Sequence, residues 1–232
     1  MFLIAHRANN DHSFSENSKK AITNVLNMDY IAGIEIDVRI TKDNRLVLIH
    51  DPIIDFISNG HGIVKYMTLS DLQKYKFGKS KEQVTLLDDV LKVNAEKMLL
   101  IELKESGNDY VRLVDEAIKL INKYSNIPIY VCSFNFNLLM YLKDNYKNVK
   151  CGLIIGFGLN KLRSINPFDF LVLSGSNLQL LRQKQYNFVF GIKTKEVKNL
   201  PENIYLITDE SYKLSKIKNR DKIVRTEVNY GK

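Results

Sequence analysis

The sequence predicts an α/β protein built as a (β/α)8 barrel. Three observations carry that prediction. Short apolar strands and amphipathic helices follow one another about eight times along the 232 residues, and such a series closes into a parallel barrel with helices outside. The hydrophobic share, 45%, supplies a core large enough for one domain over residues 1–232. No Gly-rich phosphate loop follows the first strand, which disfavours the alternative, an open doubly wound sheet.

The elements follow in order. FLIA (2–5) reads as a strand running into His6-Arg7. SENSKKAITNVLNMDY (15–30) reads as a helix with Ala21, Ile22, Val25 and Leu26 on one face; Ser13 with Glu16 three residues on matches a capping box at its start. GIEIDVR (33–39) alternates strictly, with Ile34, Ile36 and Val38 on one face and Glu35, Asp37 and Arg39 on the other. KDNR between this run and LVLIH (46–50) is a hairpin signal, and Asn44 tolerates the backbone such a turn demands. Residues 53 to about 83 read as irregular and polar, with turn glycines at Gly60 and Gly62. Then LLDDVLKVNA (86–95) is helical and MLLIELK (98–104) is a strand. DYVRLVDEAIKLINKY (109–124) is a helix with Val111, Val114, Ala117, Ile118 and Ile121 on its apolar face. PIYVCSF (128–134) is a strand and NLLMYLKDN (137–145) a helix. CGLIIG (151–156), FDFLVLSG (168–175), YNFVFGIK (186–193) and NIYLIT (203–208) are further strands, most with a helical segment between.

Composition narrows the function classes. The formal net charge is +8, which favours an anionic partner. The lysines are scattered and form no basic block, and no nucleic-acid motif is present, so nucleic acid is not the expected partner. Cys132 and Cys151 lie in apolar runs without CxxC spacing and read as buried thiols. MFLIAHR lacks the parts of a signal peptide, and no apolar run is long enough to span a bilayer. A cytoplasmic protein without integral membrane association is the expectation.

Charged residues gather at the C-terminal ends of the predicted strands. His6 and Arg7 end the first strand, Glu35 and Asp37 occupy the next, and His50-Asp51 end the hairpin. Glu102 and Lys104 share one face of the following strand. In a barrel these ends form the active-site mouth. Two carboxylates about 5 Å apart repel by roughly 3 kcal/mol at an effective dielectric of about 20. Three such groups must protonate, pair with Arg7 and Lys104, or share a cation. An all-oxygen set suits a hard ion, Mg²⁺ or Ca²⁺. The histidines lack close ligand spacing and suit acid/base roles.

These residues resemble a known family. IAHRANN, SENS, GIEIDVRITKDNRLVLIHDPIID, NGHG, LLDDVL and LLIELK occur in the order found in the glycerophosphodiester phosphodiesterases. The resemblance covers about the first 105 residues well and continues weakly through SFN (133–135) and YLITD (205–209). It implies a TIM barrel with a small insertion after the second strand, here about residues 53–83. It implies a divalent metal ion held by Glu35, Asp37 and Glu102, with His6 and His50 as general acid and base and Arg7 and Lys104 on the substrate phosphate. The implied reaction is hydrolysis of a small glycerophosphodiester to glycerol 3-phosphate and an alcohol. The chemistry agrees: a phosphodiester needs charge neutralisation at its non-bridging oxygens, a base for the nucleophile and an acid for the leaving alcohol.

The departures near the first motifs are small, and the C-terminal half departs more. HRA stands for HRG, which puts a Cβ at Ala8, where a positive φ is harder to adopt, and SENS stands for PENT. The chain has no tryptophan; FGIKTKE stands where the family commonly carries one, and DESYKL replaces a proline-containing loop. These regions shape the pocket for the alcohol. Two alternatives stand beside the hydrolase: a lysophospholipase D or sphingomyelinase-D-like lipid phosphodiesterase, and a degenerate barrel that only binds phosphate. Other charges have plainer readings. Asp51 should point away from His50 along the strand, Glu16 serves the capping box, and His12 and His61 are solvated. Arg39 and Lys193 are ordinary strand-end charges.

Overall fold

The structure, a computed structural model, describes residues 1–94, 96–105, 108–124, 127–156, 167–181 and 186–216. Eight parallel strands close on themselves: β1 (Phe2–Ala5), β2 (Gly33–Ile40), β4 (Met98–Leu103), β5 (Ile129–Ser133), β6 (Lys150–Ile155), β7 (Phe170–Ser174), β8 (Asn187–Phe190) and β9 (Tyr205–Thr208). β1 seals the barrel by pairing with β2 on one side and β9 on the other. The predicted (β/α)8 barrel is therefore the observed fold.

The hairpin is present too. β3 (Leu46–Leu48) runs antiparallel to β2, with Val38 opposite Leu48 and Ile40 opposite Leu46. Asn44 takes the left-handed turn conformation, φ 62°. β3 is shorter than LVLIH because pairing stops at Leu48, which leaves His50 in a loop.

Alternation sorts the side chains. Leu3, Ile34, Ile36, Val38, Leu99, Ile101 and Leu103 pack outward against the helices, in one continuous core with Ala21, Ile22, Val25, Leu113 and Ile118. Ile4, Met98, Leu100, Tyr130, Cys132, Phe170, Phe188 and Tyr205 form a separate cluster inside the barrel. Its aromatic rings lie 5.0–5.8 Å apart in stacked, tilted and edge-on pairs and form an apolar floor. Gly152 makes room for one of them, since a Cβ there would come within 2.2 Å of the Phe170 ring. Cys132 and Cys151 are both buried and free, one inside the barrel and one in the outer core.

The helices are α1 (Lys19–Leu26), α2 (Leu69–Leu72), α3 (Leu87–Val93), α4 (Tyr110–Ile121), α5 (Phe136–Asn145) and α6 (Ser211–Ser215). α1 starts later than predicted. Ser18 is its N-cap, accepting a hydrogen bond from Ala21 N, and the Ser13–Glu16 capping box does not form. Glu16 instead accepts from Arg7 Nη1 at 2.7 Å. In α4, Leu113 joins the buried face and Val111 is exposed; Val111 lies a quarter turn from the centre of the Leu113–Val114–Ala117–Ile118–Ile121 stripe. After β7 and β8 the connections are 3₁₀ turns, Gly175–Leu180 and Thr194–Asn199. Parts of the connections expected to be helical, 157–166 and 182–185, lie outside the described residues, as does Ala95.

The insertion follows β3. It holds a 3₁₀ turn (Val64–Tyr66), α2 and a few isolated bridges, around a small core of Val47, Ile49, Ile54, Val64 and Leu72. Among the described residues, no helix is long and apolar enough to cross a membrane.

Candidate active site

The odd face of GIEIDVR points into the barrel mouth. Glu35 and Asp37 are buried there, and β4 runs alongside with Asp37 opposite Glu102. Close approach at the base of the pair requires Gly33, where a Cβ would come within 2.4 Å of Met98 O. Carboxylate oxygens of Glu35, Asp37 and Glu102 all lie within 4.8 Å of one another.

Two cations partly offset that charge. Lys104 Nζ sits 2.7 Å from Glu102 Oε1 and 3.2 Å from Asp37 Oδ1. Arg7 Nε lies 3.3 Å from Asp37 Oδ2, and the Arg7 backbone N–H donates to Glu35 Oε2 at 2.9 Å. That contact demands an unusual backbone: Arg7 and Ala8 both adopt positive φ, 50° and 55°. Ala8 thus takes up the conformation that its Cβ makes costly. Asn17, also at positive φ, donates from Nδ2 to Asp37 Oδ2 at 2.9 Å and accepts from Asp37 N at 3.2 Å.

The electrostatics leave one carboxylate uncompensated. Burial, then the neighbouring Asp37, pushes Glu35 up to about 8. Asp37 is buried as well, but Lys104 and Arg7 hold it below the usual range. Burial raises Glu102 against the pull of Lys104. Burial works against the charge on Lys104, yet Glu102 and Asp37 raise it overall. Three buried carboxylates, one of them driven towards protonation, are a donor set whose charge and hard oxygens fit a divalent cation.

His6 and His50 flank this cluster, each held by a carboxylate. His6 Nδ1 is 2.9 Å from Asp209 Oδ1, which hangs off the end of β9. Burial would lower His6, but the Asp209 hydrogen bond and the charge of Glu35 raise it overall. His50 Nδ1 is 2.8 Å from Asp51 Oδ1. Burial lowers His50, and Lys104 and Arg7 reinforce this against the opposing charge of Asp37. Asp51 therefore turns towards His50, because strand alternation has already ended at Leu48. Arg39 is no ordinary strand-end charge. It is buried and donates from Nε and Nη2 to His50 O at 3.0 and 2.6 Å, and from Nη1 to Lys104 O at 3.3 Å. One guanidinium thereby ties together the loops carrying His50 and Lys104.

All seven predicted site residues thus meet at one opening. Asn17, Arg39 and Asp209 are added by the structure; they lie in SENS, GIEIDVR and YLITD, segments that carry the resemblance, but no spacing within those segments announces their partners. A cavity of about 370 Å³ opens beside Arg7, Asn17 and His50, walled on its far side by Phe77 and Val84 of the insertion and its exit.

The comparison with known proteins now bears directly on this mouth. A family model described as the glycerophosphoryl diester phosphodiesterase family matches residues 6–212. The chain belongs to that family. A glycerophosphodiester phosphodiesterase of Caldanaerobacter subterraneus subsp. tengcongensis is 32% identical over 189 residues, covering 74% of this chain and 77% of the relative. Solved glycerophosphodiester phosphodiesterases share the barrel. An Oleispira antarctica phosphodiesterase in complex with the product sn-glycerol-3-phosphate superposes with a TM-score of 0.77, at 17% identity, over 93% of this chain and 95% of that one. The Thermotoga maritima glycerophosphodiester phosphodiesterase gives 0.74 at 22% identity, over 93% and 97%. The family match spans both ends of the barrel seam, from His6 to the residues just beyond Asp209. This chain is thus an enzyme of the glycerophosphoryl diester phosphodiesterase family.

Proposed function

We propose that the chain hydrolyses small glycerophosphodiesters to glycerol 3-phosphate and an alcohol, with a divalent cation, Mg²⁺ or Ca²⁺, held by Glu35, Asp37 and Glu102. The observation that carries this reading is the convergence of three carboxylates within 4.8 Å beside Arg7 and Lys104. Such a cluster is costly without a cation and has no structural need to exist at a barrel mouth. When bound, the ion supplies Lewis-acid polarisation of the phosphoryl oxygens.

The remaining work falls to this chain's own side chains. Arg7 and Lys104 present fixed positive charge to the non-bridging oxygens, where charge develops during displacement. The opposite shifts of the two histidines divide the proton transfers. His50, lowered, favours its neutral form and takes the proton of the attacking hydroxyl. His6, raised and braced by Asp209, holds its proton more firmly than a free imidazole and gives it to the departing alcohol. Asp51 and Asp209 set the tautomer of each ring through Nδ1 and leave Nε2 for the chemistry.

The test is release of glycerol 3-phosphate from glycerophosphocholine by the purified protein, with EDTA and after restoring Mg²⁺ or Ca²⁺. Activity lost to EDTA and recovered with the ion is the expected result. His6→Ala and His50→Ala should each lower kcat by roughly 10²–10⁴ while still binding the ion. Turnover unaffected by EDTA, or full activity in either variant, would overturn the assignment.

A further inference from the structure

We propose that the insertion carries a docking surface for anionic lipid at the rim of the active-site cavity. Phe56 is 86% exposed, more than any other large apolar side chain among the described residues. It is not stranded on a loose loop. Gly78 N donates to Ile57 O at 2.7 Å, Asn59 N to Lys76 O at 3.2 Å, and Phe77 N to Glu82 O at 2.7 Å. The first two bonds tie the turn at 56–59 to the turn at 76–82, and the third closes the second turn on itself. Gly78 and Lys81 both take positive φ, 56° and 50°, which fixes the shape of the second turn.

The consequence is a grouping of charge around the ring. Phe56 and Ile57 share a shallow groove with Lys76, Lys79 and Lys81, and Phe56 and Lys79 also line the cavity beside Arg7 and His50. The three lysines are exposed, and none forms an ion pair among the described residues. The carboxylates of the insertion are engaged elsewhere. Asp71 pairs with Lys74 at 2.8 Å, Asp55 accepts from Gly62 N at 2.9 Å, and Glu82 accepts from Lys20 N through Oε2 at 3.2 Å, its Oε1 being buried away from solvent. Asp11 is lowered chiefly by its hydrogen bond with Ser13, and the charge of Lys79 adds less.

A single exposed ring ringed by unpaired lysines fits one surface best. Anionic headgroups take the lysines, and the boundary between headgroup and acyl chain takes the phenyl ring. A nucleic-acid strand would call for a run of stacking rings, and among the described residues only Phe56 stands in the groove. The arrangement would hold the cavity mouth close to a bilayer, where deacylated or monoacyl phosphodiesters arise.

The test is sedimentation of the full chain with vesicles of phosphatidylcholine alone and with about one third phosphatidylglycerol. Binding needs no turnover, so the outcome is separate from the proposed activity. The expected result is binding to the anionic vesicles only, weakened by salt. Each lysine near the surface contributes roughly five-fold, so K76Q/K79Q/K81Q should lower the partition coefficient on the order of 100-fold. F56S should lower it as well, without changing the salt dependence. Circular dichroism melts confirm that the variants fold, since all four side chains are exposed. Three results would overturn the proposal: equal binding to both vesicle types, no binding to either, or unchanged binding by K76Q/K79Q/K81Q. Displacement from vesicles by an oligonucleotide bound more tightly than the lipid would assign the patch to nucleic acid instead and overturn it equally.

Discussion

Glu35→Gln should make the metal-free protein more stable at alkaline pH while destroying its response to metal. The reasoning starts from burial. Glu35 has an ordinary value of 4.5 and is pushed up to about 8 in the folded protein, by burial first and Asp37 second. For an acid raised on folding, the associated stability is fully present below the unfolded value and is lost as pH rises towards the folded one. The window is therefore about pH 4.5 to 8. Between pH 5 and 8 the linkage amounts to roughly 3–4 kcal/mol, or on the order of 10 °C in Tm for a chain this long. Gln fills the same volume and still accepts from Arg7 N, so the cavity and the Arg7 turn survive. Asp37, held low, is ionised throughout this window and adds no slope. Glu102 and His6 are raised and slope the same way, while His50 is lowered and opposes them, so the informative quantity is the difference between parent and variant. The assay is thermal unfolding in EDTA at half-unit steps from pH 5 to 8.5, repeated with Mg²⁺ or Ca²⁺. The parent should lose stability with pH in EDTA and regain it with the ion, by about 2.7 kcal/mol at a hundred times Kd. Glu35→Gln should show a flatter pH dependence and little gain from metal. If its EDTA curve runs parallel to the parent's across the window, the buried carboxylate is not the source of the slope and the reasoning fails.

Asp209→Asn removes the partner that raises His6, so the alkaline limb of kcat/KM should move to lower pH, and an unmoved limb would rule His6 out as the acid. Arg39→Met keeps the stem but removes the donors to the partly buried His50 O and Lys104 O; at about 1 kcal/mol for each lost hydrogen bond it should lower Tm by several degrees and kcat with it. Parent-like melting and turnover in that variant would show that the two loops hold their places independently. Asn17→Ala should weaken metal binding rather than folding, because Asp37 loses the amide that fixes one of its oxygens; isothermal titration with Mg²⁺ showing an unchanged Kd would refute this.

Much of the site is legible in the sequence because it lies on regular strands. Alternation is a geometric consequence of extended backbone, so Glu35 and Asp37 had to share a face with each other and not with Ile34 and Ile36. The same rule places Glu102 and Lys104 together, and the parallel register then sets Asp37 beside Glu102. Legibility stops where the strand does. Asp51 reads as turned away from His50 only if β3 continues, and it ends at Leu48. The Ser13–Glu16 spacing matches a cap, but the match is purely local. Arg7, nine residues back, offers Glu16 a charged partner across the site, and Ser18 caps the helix instead.

Asp209 shows the deeper limit. It meets His6 across 203 residues, through a closure that exists only once β1 pairs with β9. No spacing within either segment could announce that contact; only ring closure creates it. The same closure explains why the mouth can hold so much charge at all. Eight strands bring their C-terminal ends to one rim, while an aromatic floor of Tyr130, Phe170, Phe188 and Tyr205 fills the barrel below. The carboxylates therefore face the open end, with apolar side chains beneath them. Burial makes Glu35 expensive to ionise, and a bound cation would relieve that expense. On this argument the apolar residues beneath the proposed metal site would tune its affinity alongside Glu35, Asp37 and Glu102. Opening the floor, by Phe170→Ala for example, should admit water, lower Glu35 and weaken the part of the pH dependence that Glu35→Gln removes.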